Sequence, residues 1–301
     1  MQLQKLVLVF LILPGLFGIS ALAADLKPET VAAFDRYIAA TEARMGEDVR
    51  LNQFLAIDRL PDLQRKEAYD QLQKGQIYIE ELHTQADHHS IPIPNGMIHH
   101  WVGVVYIPKA TLFETNALLR DYEDEPAIYK PEVLRAKLLE SHGNESKIYL
   151  QMFNKSIVTV VMDTYFNVTD TQMGSTRSQS ASRSTRIAEV LDAGGPNERE
   201  RTDGNDHGYI WRLNNYWRIE EKDGGVYVQN ESITLSRPVP ALLAWLINPL
   251  TKSIPRDVLV HLLTDTRNGV QRAGKVSIQE GPWQGSPALR ESPQGIALPH
   301  L

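Results

Sequence analysis

The stretch YIWRLNNYWRIEEKDGGVYVQNESITL, residues 209–235, decides the reading of the fold. Two strand-like runs, 209–221 and 226–235, flank Lys222-Asp223-Gly224-Gly225. Asp-Gly supplies the two positive φ angles of a type I′ turn, whose twist matches that of paired strands. With Asp223 and Gly224 as the turn, Lys222 faces Gly225, Trp217 faces Asn230 and Tyr216 faces Glu231. Side chains alternate along a strand, so this register fixes two faces. One bears Tyr209, Trp211, Leu213, Asn215, Trp217 and Ile219 opposite Val226, Val228, Asn230, Ser232 and Thr234. The other bears Arg212, Asn214, Tyr216, Arg218 and Glu220 opposite Tyr227, Gln229, Glu231, Ile233 and Leu235. The second face reads as a solvent ladder of cross-strand ion pairs, because Arg and Glu are rarely buried. The Trp-rich face is then the inner one. Core packing accounts for Trp211, Leu213, Trp217 and Ile219. It accounts less well for Asn215, Asn230, Ser232 and Thr234, since an unpartnered buried polar group costs about 1–3 kcal/mol. An apolar pocket with a few convergent polar groups satisfies both observations.

Outward from the hairpin the strand pattern continues. Residues 99–107 form a strand ended by Pro108, and four more runs follow at 133–140, 147–153, 157–168 and 177–189. His142-Gly143-Asn144 and Asn154-Lys155 supply turns between them. Residues 112–119 read as a short helix, with Thr111 and Glu114 at capping-box spacing. A loop of acids and tyrosines occupies 121–129. Beyond Pro238 and Pro240 the period becomes helical, first through Leu242, Leu243, Trp245, Leu246 and Ile247. It resumes over 256–270 with Val258, Leu259, Leu262, Leu263 and Val270. The expected fold class is α+β: a curved antiparallel sheet of about six to seven strands around a long C-terminal helix.

Residues 24–95 read as a helical N-terminal extension. Pro28 opens a first helix carrying Val31, Phe34 and Ile38, which Gly46 is expected to stop. Leu51, Phe54, Leu55, Ile57 and Leu60 form a second amphipathic stretch, and residues 63–82 a third. The main domain is placed at 96–270. Residues 271–301, rich in Gly, Pro, Gln and Ser, are expected to be a mobile tail.

Ahead of all this, Lys5, the apolar run 6–13 and Ala21-Leu22-Ala23-Ala24 have the form of a secretory signal peptide, residues 1–23. Pro14-Gly15 interrupts the run well short of the ~20 residues a spanning helix needs. An exported protein, periplasmic or secreted and without a membrane span after signal removal, is expected. There is no cysteine, which excludes disulfides, thiol nucleophiles and thiolate metal sites. Removing Lys5 with the signal leaves 30 basic against 37 acidic residues, a net charge of −7. An acidic chain without a basic cluster is not expected to bind nucleic acid.

The residues resemble the START / Bet v 1-like superfamily (SRPBCC; polyketide cyclase and lipid-transport proteins), as a secreted bacterial member. The resemblance rests on His99-His100-Trp101-Val102-Gly103 opening a strand that ends at Ile107-Pro108, and on Tyr129-Lys130-Pro131. It continues in Trp211-Arg212, Tyr216-Trp217-Arg218, Asp223-Gly224-Gly225-Val226-Tyr227 and Ile233-Thr234-Leu235-Ser236-Arg237, and covers roughly 98–270. It implies the helix-grip fold, with a cavity between sheet and C-terminal helix that accepts an apolar molecule. It implies no reaction, since function does not follow from fold.

The expected partner is therefore an apolar small molecule or lipid. It would be held between the hairpin, the strand 101–107 and the helix 256–270. The ligand-binding residues are Trp101, Tyr209, Trp211, Leu213, Asn215, Trp217, Asn230, Ser232, Thr234, Leu259 and Leu263, with 112–119 and 121–129 as a lid. An enzyme of the cyclase or aromatase kind is the alternative, favoured if Arg212, Tyr216, Arg218 and Glu231 point inward. A non-catalytic envelope interaction protein with a filled core is the third reading. No catalytic residue, metal or cofactor is assigned. There is no G-x-S-x-G, His88-His89 lacks a spaced partner, and His99 and His100 point to opposite faces.

Overall fold

The computed structural model describes residues 26–86, 89–155, 159–202, 206–238 and 241–280, with side chains of the last helix described over 254–274. The export signal and the His88 pairing fall outside these residues, as does everything beyond 280.

Helix α1 spans Pro28–Arg50, with Pro28 in its first turn beside Glu29 and Arg50 in its last. Both charges complement the helix dipole. It passes through Gly46, where nothing crowds the backbone, and so runs one turn past the expected stop. The second amphipathic stretch makes only a 3-10 turn, Ala56–Arg59, before helix α2 at Asp62–Gln73. Strand β1 follows at Tyr78–Glu81, where the sequence periodicity had suggested more helix. The residues are strand because β4 offers them an edge: Tyr78 to Glu81 pair antiparallel with Val104 to Trp101. Tertiary pairing overrides a local period of this length. A two-strand ribbon, β2 (Gln85–Ala86) and β3 (His89–Ser90), leads to β4, Met97–Pro108.

Helix α3 (Leu112–Arg120) has the expected capping box, Thr111 accepting from the Glu114 amide and the Glu114 carboxylate from that of Thr111. A 3-10 turn (Tyr122–Asp124) and the single-turn α4 (Glu125–Ile128) follow. Then come β5 (Val133–His142), β6 (Glu145–Lys155), β7 (Thr159–Gln172), β8 (Arg177–Leu191), the two-residue β9 (Arg199–Glu200), β10 (Arg212–Lys222) and β11 (Gly225–Ser236). Helix α5 spans Ala241–Glu280. It is one helix rather than two, and it continues ten residues beyond the expected end at Val270.

The main sheet runs β1-β4-β11-β10-β8-β7-β6-β5, with β9 attached to β8, and all its pairs are antiparallel. Seven of its strands are long, as expected; β1 and β9 are additions. The hairpin register is the one the turn residues specify: Lys222↔Gly225, Trp217↔Asn230 and Tyr216↔Glu231, with φ of 58° at Asp223 and 74° at Gly224. Helix α5 lies on one face. There Leu259, Leu263 and Val270 pack with Val105, Ile107, Ile219, Val226 and Val228. A sheet gripping one long C-terminal helix is the helix-grip arrangement, and the fold class is α+β as expected.

The other face of the sheet is not solvated, which corrects the sequence reading. Helix α1 lays Phe34, Tyr37, Ile38 and Met45 on Trp211, Tyr216, Ile233 and Leu235. Beside them Phe54, Leu55, Ile57 and Leu72 cover Val104, Tyr106 and Tyr227. Arg218, Glu220 and Glu231 are consequently buried, at 4, 5 and 0 % exposure. Each has partners. Arg218 donates to the carbonyls of Phe54 (2.8 Å) and Met45 (2.7 Å), Glu220 pairs with Arg177, and Glu231 accepts from His100 and Arg44. Alternation identified the faces correctly. What hides the charged one is a helix some 170–190 residues away in sequence.

Candidate functional site

On the α5 side the helix and sheet do not close completely, and a cavity of about 540 Å³ remains. Its floor is the inner face of β10, β11, β8 and β4, and strand alternation decides which residues reach it. Leu213, Asn215, Trp217 and Ile219 come from β10; Asn230, Ser232 and Thr234 from β11; Ser180 and Ser182 from β8; His99 and Trp101 from β4. Val258, Leu259 and Leu262 of α5 form the roof, Ile148, Leu150, Phe166 and Val168 of β6 and β7 the far wall. Leu118, Tyr122, Glu125 and Tyr129 come from α3, α4 and the turn between them, the segment expected to act as a lid.

Nine of the eleven expected residues line this space: Trp101, Tyr209, Leu213, Asn215, Trp217, Asn230, Ser232, Thr234 and Leu259. Trp211 does not. The pleat of β10 starts at Arg212, so parity does not extend to Trp211, which packs with Phe34 and Tyr37 on the opposite face. Leu263 does not line it either. It is fully buried over Gly103, where a Cβ would sit 2.6 Å from its Cδ1, and it fills that gap. Arg218 and Glu231 lie on the α1 side, as their strand parity requires, away from the cavity.

The floor carries polar groups without a partner in the protein. Asn230 is fully buried, and both its amide N and O lack a hydrogen-bond partner. Among the described residues the side chains of Asn215, Ser232, Thr234, Ser180 and Ser182 also make no hydrogen bond within the chain. Strand pairing sets them in rows. Ser182, Asn215, Ser232 and Trp101 stand side by side on four adjacent strands, and Ser180, Trp217, Asn230 and Gly103 in the next row.

The ionisable groups sit around the roof and rim. Desolvation, with no compensating cation, pushes the Glu125 carboxyl up to about 8. Desolvation, reinforced by Glu132, also raises Asp265. Burial lowers His99, which lies 3.3 Å from the Ser236 hydroxyl. Arg120 is tied to Asp170 at 3.0 Å, and the Arg237 guanidinium stands 5.7 Å from the Tyr209 ring centre. Tyr129 shares a 3.1 Å hydrogen bond with Thr266 of α5, pinning the lid to the roof. Sequence reasoning did not select Glu125 or Asp265. His99 was legible, two residues before Trp101 and hence on the same face, whereas Glu125 sits on a single turn without a period to read.

No family model and no curated protein matches the sequence. Solved structures do match in shape. A STAR-related lipid transfer protein from Xanthomonas axonopodis is 18 % identical, at a TM-score of 0.40 over 63 % of this chain and 98 % of its own. The Zhui aromatase/cyclase from a Streptomyces species is 11 % identical, at 0.41 over 62 % and 99 %. Human STARD10 is 10 % identical, at 0.43 over 73 % and 84 %. The solved structures that this chain is similar to are START-type proteins, and its own topology is the helix grip, with a helical layer on the outside of the sheet.

Proposed function

We propose that this chain is an exported protein that binds or carries an apolar or amphiphilic small molecule in the cavity under α5. The observation that carries the reading is the cavity itself. Its 540 Å³ falls within the range of small-molecule sites, its walls are mostly aliphatic and aromatic, and its floor presents unpartnered amides and hydroxyls. Native mass spectrometry of the mature protein, from Ala24 onward and isolated without detergent from its own envelope, tests the proposal. A co-purifying apolar mass that is lost on Ser182→Trp supports it. An apoprotein that also takes up nothing from a lipid extract overturns it. N-terminal sequencing of the envelope-isolated protein tests export, with a start at Ala24 expected.

A cyclase-type enzyme has one observation in its favour. Glu125 holds a proton near neutral pH and faces the cavity, which is what a general acid requires. The residues whose inward position would favour an enzyme, Arg212, Tyr216, Arg218 and Glu231, do not line the cavity. Chemical change of the bound molecule during incubation, abolished by Glu125→Gln with binding retained, would move the assignment to catalysis.

A further inference from the structure

The floor of the cavity is polar in a way that constrains what it holds. Ser182, Asn215 and Ser232 are directly paired across β8, β10 and β11, and Asn230 lies in the adjoining row. Neighbouring strands are about 4.8 Å apart, so the three side chains span roughly 10 Å perpendicular to the strands. None is ionisable, and among the described residues none of the three side chains makes a hydrogen bond within the chain, nor does that of Asn230. A wholly hydrocarbon guest would leave this row unsatisfied at about 1–3 kcal/mol for each fully desolvated group. An anionic headgroup fits no better. No cation stands in this row, and of the two guanidiniums at the rim Arg120 is engaged by Asp170 and Arg237 stands over the Tyr209 ring.

Building on the binding function proposed above, we infer that the ligand is an uncharged amphiphile with two or more hydrogen-bonding oxygens or amide groups along one edge. That edge lies across Ser182, Asn215 and Ser232, and the hydrocarbon faces Val258 and Leu262. Asn230 offers both a donor and an acceptor in the adjoining row. Hydroxyl, ketone, ester and amide groups all satisfy such a floor; a carboxylate or phosphate would accept its hydrogen bonds but would be buried there without a paired cation. Discrimination follows from the unpaired groups: a site built to hydrogen-bond a guest rejects one that lacks those groups far more strongly than a smooth apolar wall does.

Three probes of one chain length test this: 1-monolauroylglycerol, laurate and dodecane, each titrated against the mature protein at pH 7.5. Trp101 and Trp217 in the cavity wall provide a fluorescence signal, and native mass spectrometry provides the stoichiometry. Monolauroylglycerol is expected to bind at least about tenfold more tightly than either of the others, the value of one well-made hydrogen bond. Asn215→Leu, and separately the milder Ser232→Ala, should remove most of that preference, weakening the glyceride and tightening dodecane as an unsatisfied group is lost from the floor. Laurate binding as tightly as the glyceride, or a preference that survives both substitutions, overturns the inference while leaving a binding cavity. Failure of all three probes, dodecane included, overturns the cavity-binding function and the inference together.

Discussion

His100 Nε2 stands 2.7 Å from Glu231 Oε1 on the α1 side of the sheet, and both side chains are only 1 % exposed. One assignment of the protons satisfies all the neighbouring contacts and agrees with the lowered basicity of the buried His100. The Tyr37 hydroxyl oxygen accepts from the Thr84 amide at 2.9 Å and its own proton goes to His100 Nδ1, also at 2.9 Å. His100 is therefore neutral and donates its Nε2–H to the carboxylate, to which Arg44 also donates. Burial alone raises the Glu231 carboxyl, but the His100 hydrogen bond and the Arg44 charge outweigh it and hold it below its ordinary value. Burial lowers His100 in turn.

This relationship makes the fold acid-sensitive from the His side. The folded pKa of His100 lies below 6.5, so as pH falls below 6.5 the unfolded chain takes up a proton that the folded chain refuses. Stability declines between pH 6.5 and the folded value, and is flat above about 7.5 as far as this group is concerned. Urea midpoints at pH 8, 7, 6 and 5 should fall through that window, and His100→Gln should flatten part of the fall. His99 is depressed in the same direction, so the rest persists in that variant. Glu231→Leu removes the acceptor of the buried His100 and of the partly exposed Arg44 and should cost about 3–5 kcal/mol at pH 7.

Arg218 holds α1 to the sheet by a different route. Its guanidinium caps the carbonyls of Met45, near the end of α1, and Phe54, just beyond it, and lies 5.5 Å from the Phe54 ring centre. Arg218→Met keeps the volume but leaves the buried Phe54 carbonyl without a donor, while the Met45 carbonyl keeps only its helical one. A loss of about 2–4 kcal/mol in urea unfolding is expected, together with faster proteolysis in residues 51–55. Arg218→Lys should recover little, because one ammonium cannot reproduce the fork.

Glu125 acts in the opposite pH sense. Its folded value of about 8 exceeds its ordinary 4.5, so folding binds a proton across that interval and stability is lost as pH rises through it. Glu125→Gln should match the wild type below pH 4.5 and exceed it by at least about 1 kcal/mol at pH 8. Measured by chemical denaturation, an equal stability of the two proteins at pH 8 would show that the carboxyl is solvated rather than sealed by the lid.

Gly103 is where α5 seats. A Cβ there would lie 2.6 Å from Leu263 Cδ1 and 2.7 Å from Ile79 Cδ1, both in the packed layer beside the cavity. Gly103→Ala should cost about 1–3 kcal/mol by overpacking. Adding Leu263→Ala should cost less in that background than in the wild type, because the two changes share one volume. A thermal-unfolding double-mutant cycle measures the coupling.

The hairpin at 209–235 was legible because its determinants are local. Asp223-Gly224 specify the turn, the turn fixes the register, and period 2 assigns each residue to a face. The same logic placed Leu213, Asn215, Trp217, Asn230, Ser232 and Thr234 on the face that lines the cavity, and it stopped at Trp211 because parity ends where the pleat begins. Residues 78–81 could not be read as strand, since their extended form is imposed by the free edge of β4 rather than by their own order of side chains.

The sequence by itself therefore determined the seven long strands, the register of their hairpin, its two faces and the helical period of 256–270, all products of short-range geometry. The tertiary structure decided what each face meets. Helix α1 turns a charged surface into a buried layer in which Arg218, His100 and Glu231 are all partnered. Helix α5, propped away from the opposite face, leaves Asn215 and Asn230 unpartnered. Burial is set by which distant segment lies on top, and no local pattern encodes that.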